Sequence, residues 1–278
     1  MKDSKKQVFV AKGYSPWFNG NWGNSYYEYM DNWEDSSHVV SVDESTSGQA
    51  TVTCDGDVTD MGYMFNLTHL TSLDLSNFDA SKVTNMSSMF EDCRNLTLLD
   101  LSNFNTSKVS NMESMFIYCC NITSIDLSSF DTSNVVNMNG MFSYCDILTK
   151  LDLSSFDTSN VEDMGFMFGF SENLTTLDLS NFDTSKVKDM SSMFYHCSKL
   201  TSVDLSNFDT SNVSDMSTMF CNCPRLTTIK GVIDMKSCTE ECYEMFKNCP
   251  KLKDVKIKNP PANFDAAGLS KSQYTIVS

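Results

Sequence analysis

Aspartate recurs at a fixed place along this chain, between two apolar residues, in segments such as Leu177–Val187, which has the sequence LDLSNFDTSKV. If the flanking apolar residues face a core, each aspartate projects outward, and stacked segments align the carboxylates in one column. Two carboxylates about 5 Å apart repel by about 0.8 kcal/mol even in water. Six copies have aspartate at this place and the next two have lysine: Asp74, Asp100, Asp126, Asp152, Asp178, Asp204, Lys230 and Lys256.

This acidic column has two interpretations. It could serve solubility alone, because an exposed sheet face must be polar and aspartate resists the association of sheet edges. It could instead be a binding surface for a basic protein partner, a glycan or a divalent cation, with Lys150 in the neighbouring lane of side chains. In the second interpretation Lys230 and Lys256 make one end of the surface basic. The binding surface is our functional hypothesis.

A second series of aspartates precedes Thr-Ser or Ala-Ser in the same units. Aspartate before small hydroxyl residues is typical of Asx turns, in which the carboxylate accepts a backbone N–H two residues later. We therefore predict that this series is structural: Asp79, Asp131, Asp157, Asp183 and Asp209.

The cysteines suggest packing rather than metal binding. Cys221, Cys223, Cys238 and Cys242 lie close together in sequence, but their C-x-C and C-x3-C spacings match no strong zinc pattern. We predict no metal site. Six cysteines, Cys223 among them, share one repeat position and are expected to be buried as small hydrophobic residues, with Ser171 in their place once: Cys93, Cys119, Cys145, Cys197, Cys223 and Cys249.

No arrangement of residues predicts catalysis. The histidines His38, His69 and His196 lie on different segments without a fixed relation to a nucleophile or carboxylate. The chain contains no H-E-x-x-H, G-x-S-x-G or glycine-rich phosphate loop. We therefore predict that the protein is not an enzyme and needs no cofactor.

A repeat of 26 residues must position these side chains, and Met-Phe pairs mark it. In the unit Leu96–Asn121, alternation of Leu99 and Leu101 around Asp100 predicts a strand with the aspartate outward. From Val109 the apolar residues follow the spacing i, i+3, i+6, i+7 and i+10, which predicts a helix of about three turns. The marker phenylalanines are Phe65, Phe90, Phe116, Phe142, Phe168, Phe194, Phe220 and Phe246.

The blocks of the form LTSLDLSNFDTSKVxxMxxMFxxC, as at Leu200–Cys223, resemble the BspA-like branch of the leucine-rich-repeat proteins. The resemblance covers roughly Met61 to Lys258. It implies an α/β repeat fold, a right-handed leucine-rich-repeat solenoid with a parallel sheet on one face and short helices on the other. Stacked copies would share one core, because a single unit cannot bury its apolar side alone.

The repeat limits predict three parts of the chain. Residues 61–258 form a solenoid of about eight coils, and residues 259–278 form a C-terminal tail. Residues 1–60 do not repeat and are rich in aromatic residues, so they either cap the open end of the core or dock to a partner. The candidate docking residues are Trp17, Trp22, Tyr26 and Tyr27.

The resemblance also implies a function. The protein would be a non-catalytic recognition or adhesion module that binds an unidentified protein or glycan. It would be located at a cell surface, secreted, or on the surface of a particle. The alternatives are a structural subunit of a larger exposed assembly, such as a phage particle fibre or decoration protein docked through the N-terminal segment, and an intracellular scaffold. The start of the chain, MKDSKKQVFVAKGYSPWF, has no apolar segment typical of a secretory signal, and no anchor is recognisable.

Charge and hydropathy argue against two classes of partner. The net charge is −16, from 20 basic and 36 acidic side chains, which is unfavourable for general nucleic-acid binding. No apolar run approaches the roughly 18 residues that a membrane span requires, so membrane insertion is not predicted.

Overall fold

The computed structural model describes residues 6–13, 39–46, 49–55, 58–66, 70–238, 242–262, 264 and 268–278. These residues contain short strands and no α-helix. The strands are β1 (Lys6–Gly13), β2 (Val39–Thr46), β3 (Gln49–Asp55), β4 (Leu70–Asp74), β5 (Leu98–Asp100), β6 (Ser202–Asp204), β7 (Thr228–Lys230), β8 (Val232–Asp234), β9 (Val255–Lys258) and β10 (Tyr274–Val277).

The strands form three small sheets. The largest has the order β2-β3-β1-β4-β5, in which β4 and β5 are parallel and the other pairs are antiparallel. The others are the parallel sheets β6-β7 and β10-β9-β8. Residues 122–127, 148–153 and 174–179, where the repeat also predicts strands, form none. Parallel pairing of repeat strands is therefore observed at the two ends of the repeat array and not in its middle.

Successive repeats nevertheless lie beside one another along a line of single parallel bridges. Each bridge joins two equivalent positions one repeat apart, at the Asn or Asp that precedes the first methionine of the unit. Because neighbouring strands in a sheet lie about 4.8 Å apart, such bridges place equivalent side chains at van der Waals distance. The bridged residues are Asp60, Asn85, Asn111, Asn137, Asp163, Asp189 and Asp215.

The helix predicted from Val109 is wrong. The segment folds instead as three overlapping four-residue turns. They are closed by the hydrogen bonds Met115 N–H to Met112 O at 3.3 Å, Ile117 N–H to Ser114 O at 3.1 Å and Cys119 N–H to Phe116 O at 3.1 Å. The alternate amides donate to the following repeat rather than within the segment: Met112 to Asn137 O, Ser114 to Asn139 O, Phe116 to Met141 O and Tyr118 to Ser143 O, at 2.7–3.1 Å.

The turns reproduce the spacing of a helix face, which explains the error. The first and the last of these turns together bring residues i, i+3, i+4 and i+7 to one side, as a helix does. Each of these two turns has one residue in the left-handed region, because Ser114 and Tyr118 have φ values of 55° and 61°. The apolar residues that we expected to face the core are buried, so the pattern identified the inward side correctly.

The core contains a continuous row of phenylalanine side chains, one from each repeat. The marker phenylalanines stack nearly parallel to one another, with ring centroids of successive repeats 5.2–6.1 Å apart. Offset stacking at this distance stabilises aromatic pairs beyond the burial of their area. The methionines of the units, and the valines of the units that have one, are buried beside the row.

Candidate functional site

The aspartates of the acidic column are exposed where the sequence predicts them. The strand register places Asp74 opposite Asp100 and Asp204 opposite Lys230. Lys230 Nζ lies 3.2 Å from Asp204 Oδ2, so the first lysine neutralises the last aspartate. Within the described residues, the other five aspartates of the column have no ion pair, and Lys150 is exposed without one.

Each column aspartate also closes an Asx turn. Its Oδ1 accepts the backbone N–H of the serine two residues later at 3.0 Å, as Asp126 does from Ser128. Oδ2 of the central residues Asp126, Asp152 and Asp178 has no hydrogen bond in the part of the chain that the structure describes. One carboxylate oxygen is therefore used by the fold, and the other is available to a ligand.

The serines lower the pKa of the column carboxyls. The side-chain hydroxyl of the serine contributes most and its backbone N–H second, and both stabilise the charged form; this holds for Asp74, Asp126, Asp152, Asp178 and Asp204. Repulsion acts in the opposite direction and is smaller: Asp152 raises the pKa of Asp126 and of Asp178. The charge of Asp152 therefore acts on both of its neighbours in the column.

The column ends differently from the extrapolated repeat. Spacing predicts that Lys256 follows Lys230, but Lys256 pairs with Val232. Gly231 has φ +96° and separates β7, which pairs with β6, from β8, which pairs with β9. The bend shifts the register by two residues, so Lys256 does not continue the column in line with Lys230.

The second aspartate series is structural, as predicted. Each carboxylate accepts the backbone N–H of the serine two residues later, at 2.9–3.1 Å. A buried threonine adds a link that the sequence analysis missed. Thr132 donates its hydroxyl hydrogen to Asp157 O at 2.8 Å and accepts Asp157 N–H at 2.9 Å. The same pair of bonds forms at Thr106, Thr158, Thr184 and Thr210.

The six repeat cysteines are buried, as expected, and they also form hydrogen bonds. Each thiol donates to the backbone oxygen of a marker phenylalanine of the preceding repeat, as Cys145 does to Phe116 at 3.4 Å. Ser171 makes the same bond to Phe142 at 2.6 Å, which explains why serine can stand at this position. Cys238 and Cys242 are joined as a disulfide.

The line of bridged Asn and Asp residues is a second column that the sequence analysis missed, although its recurrence before M-x-x-M-F was visible. Its members close Asx turns too, as Asp163 does with Gly165 N–H at 2.8 Å. Asp163 also accepts the Asn139 amide at 3.1 Å. Burial raises the pKa of Asp163 despite both hydrogen bonds, and nearby Asp189 adds to the rise. These half-buried residues serve the fold.

The four candidate docking residues lie outside the described residues: Trp17, Trp22, Tyr26 and Tyr27. Within the described part, no three or more His, Cys, Asp or Glu side chains converge to hold a metal ion. No helix among the described residues has the length and apolar character needed to span a membrane.

Comparison with known proteins yields one family. The family model described as "Mycoplasma protein of unknown function, DUF285" matches residues 35–151 and again residues 148–259. Together the two matches cover most of the chain. No curated protein and no solved structure matches it.

Proposed function

This chain belongs to the DUF285 family, whose model matches it twice in succession, and we propose that it is a repeat protein that recognises a binding partner. In this proposal the units form a right-handed leucine-rich-repeat solenoid of the BspA-like type, which is non-catalytic and exposed at a cell or particle surface. It binds a protein or glycan through the acidic column. The bridges and ring stacks between equivalent positions support the stacking of units.

The observation that supports a binding role most directly is the state of the central carboxylates. Asp126, Asp152 and Asp178 are exposed and have no ion pair among the described residues, and the charge of Asp152 raises the pKa of the other two. Within the described residues, Asp204 is the only aspartate of the acidic column that has an ion pair, and its partner is Lys230. A partner that presents cationic groups would relieve the repulsion of the other carboxylates and gain electrostatic steering.

The experiment compares two triple variants of the intact protein. The column variant removes three charges from the acidic column and keeps the Oδ1 acceptor of each turn; it combines Asp126→Asn, Asp152→Asn and Asp178→Asn. The matched control is Asp131→Asn, Asp157→Asn and Asp183→Asn, which removes the same charge from the same units at the second aspartate series. Binding is measured to a glycan array and to a lysine-rich peptide such as hexalysine.

We expect at least a tenfold loss of affinity in the column variant and little loss in the control, since three lost contacts of about 0.5 kcal/mol or more sum to that factor. Wild-type affinity should also fall as salt screens the surface. Equal losses in both variants would mean that only net charge attracts the ligand. Unchanged affinity in the column variant would leave solubility as the role of the column.

A further inference from the structure

One repeat position combines a left-handed backbone with bulky aromatic side chains. It lies one residue before the repeat cysteine, or before Ser171 in one repeat, and its φ values are 56–62° in the seven repeats from Asp92 to Asn248. Asn and Asp tolerate this conformation best. Asp92, Asn222 and Asn248 have it on either side of the central repeats. The central repeats have large rings, which the conformation disfavours. In chain order the residues are Asp92, Tyr118, Tyr144, Phe170, His196, Asn222 and Asn248.

The four central rings form a stack across four repeats. Ring centroids are 4.3 Å apart from Tyr118 to Tyr144, 4.3 Å from Tyr144 to Phe170 and 4.8 Å from Phe170 to His196. Contact among these rings offsets part of the cost of their backbone conformation. The stack is absent from any single repeat, and it arises only because equivalent positions of successive repeats are adjacent.

Two more rings lie edge-on against the stack. Phe166 and Tyr195 are 5.9 Å and 5.1 Å from Phe170, at interplanar angles of 68° and 66°. Their own centroids are 6.4 Å apart. Gly169 makes room for Phe166, because a Cβ there would come within 2.7 Å of that ring. We call Tyr118, Tyr144, Phe166, Phe170, Tyr195 and His196 the aromatic cluster, and all six are partly exposed.

The charges near the aromatic cluster are balanced at its ends and unbalanced in its middle. At one end Arg94 lies over the Tyr118 ring, 5.1 Å from its centroid, and is paired with Asp92. At the other end Lys247, which interacts electrostatically with Tyr195, is paired with Glu244.

Between these ends, Asp146 and Glu172 each follow a ring of the stack by two residues, and within the described residues neither has an ion pair. Asp146 is close enough to act electrostatically on Tyr144. The middle of the cluster is therefore aromatic and bordered by two acids, and a cation nearby is Lys199, whose Nζ donates to Asn173 Oδ1 beside Glu172.

We propose that the aromatic cluster is a docking surface for an arginine-bearing segment of a partner protein. Guanidinium groups stack on aromatic rings, donate to carboxylates and are more weakly hydrated than ammonium groups, so they suit rings bordered by acids better than lysine does. Arg94 over Tyr118 is an example of the same contact within this chain. The surface is distinct from the acidic column and does not depend on the function proposed for it.

The test uses two short peptides of equal charge, acetyl-Gly-Arg-Gly-Gly-Arg-Gly-amide and its lysine counterpart, titrated into the intact protein by calorimetry. We expect the arginine peptide to bind about fivefold tighter than the lysine peptide. The variant Tyr144→Asn/Phe170→Asn keeps the net charge and places at both positions the residue that the array has at Asn222 and Asn248, so it should fold. In this variant the arginine preference should disappear.

Phe166→Ser is a second, independent variant, because Ser114 and Ser192 occupy the equivalent position with φ 55°. It should lower the arginine preference while thermal unfolding remains cooperative. The proposal is overturned if wild type binds both peptides equally or neither, or if the preference survives in both variants. It is also overturned if the wild type self-associates in sedimentation and the variants do not, since the occupant would then be a second copy of the chain.

Discussion

At the scale of single residues, buried polar groups hold one repeat to the next. A buried thiol or hydroxyl satisfies a phenylalanine carbonyl of the preceding repeat, and a buried threonine satisfies both the N–H and the C=O of the aspartate in the following one. A buried polar group costs more stability when its partner is removed than a typical hydrogen bond adds. These residues therefore do more than fill the core, which was the role that we expected of cysteine.

The first prediction concerns thiol reactivity. Burial raises the pKa of the thiols of Cys119 and Cys145, and that of Cys197 to about 12, so little reactive thiolate forms at neutral pH. Among the cysteines whose side chains the structure describes, we expect a maleimide or disulfide reagent to label the half-buried Cys120 before the six repeat cysteines, which should react only after unfolding. Mass spectrometry of labelled peptides measures this order. Labelling of the repeat cysteines in the native protein at the rate of Cys120 would contradict it.

The second prediction concerns Asp163, whose pKa is raised mainly by burial. A raised pKa means that the folded state binds a proton more readily than the unfolded state, so this carboxyl supports stability only at low pH. Its contribution is lost as pH rises through the folded pKa. Asp163→Asn, which matches Asn85, Asn111 and Asn137 of earlier repeats, should therefore stabilise the protein at pH 7 by about 0.5 kcal/mol.

Denaturant unfolding at pH 7 and at pH 3.5 checks this prediction, because the gain should shrink at the lower pH. Asp126→Asn is the control, because the contribution of Asp126 to stability has the opposite pH dependence. The pKa of Asp126 is lowered, so its contribution is present above the unfolded pKa and is lost as pH falls through the folded one. A gain from Asp163→Asn that is independent of pH would mean that burial of its charge is not the cause.

At the scale of elements, consecutive turns take the place of the expected helix. A helix would satisfy its amides internally, whereas alternate amides of residues 112–118 donate to the next repeat. The turn segments thereby join neighbouring repeats by backbone hydrogen bonds in the part of the array where no strands form. Stability at this scale depends on neighbours, as in other repeat architectures.

The third prediction concerns the bend between β7 and β8. A Cβ on Gly231 would lie 2.6 Å from the backbone oxygen of Leu205, and the φ of +96° is strained for any other residue. We expect Gly231→Ala to destabilise the protein by about 2 kcal/mol or more. Gly62→Ala is the control, because its Cβ would meet only side-chain ends, nearest Asn85 Nδ2 at 2.8 Å. Equal losses in denaturant unfolding would contradict a specific role for the bend.

At the scale of the whole molecule, the segment before the repeats is part of their first sheet. Strand β1 pairs antiparallel with β4, the first repeat strand, with Val10 opposite Asp74. Strands β2 and β3 extend the same sheet beyond β1. This pairing covers one edge of β4, which is a protective arrangement because a bare strand edge invites association.

The fourth prediction follows from that pairing. Deletion of residues 1–57 should uncover the edge of β4, lower the thermal stability of the remaining repeats and promote self-association, measured by thermal unfolding and sedimentation velocity. A truncated protein that stays monomeric and equally stable, but loses a partner, would favour a docking role for the segment.

Much of the molecule was predictable because the same pattern of residue types recurs in every unit of a strict repeat. The period, the inward side of each unit and the Asx turns of Asp131 and its equivalents all depend on local spacing and side-chain chemistry. Exposure of the column aspartates followed from alternation alone. The helix prediction failed because two short turns and one helix share the spacing of Met112, Met115, Phe116 and Cys119.

The sequence by itself determined which residues recur and which of them are apolar, and hence what can be buried. Only the tertiary structure decided where the backbone amides donate, because that depends on the neighbouring repeat rather than on local spacing. It also decided that Gly231 shifts Lys256 out of line. It decided too that Tyr144 stacks on both Tyr118 and Phe170, although each of them is 26 residues away along the chain. Contacts between repeats arise from packing in space, which spacing within one repeat does not specify.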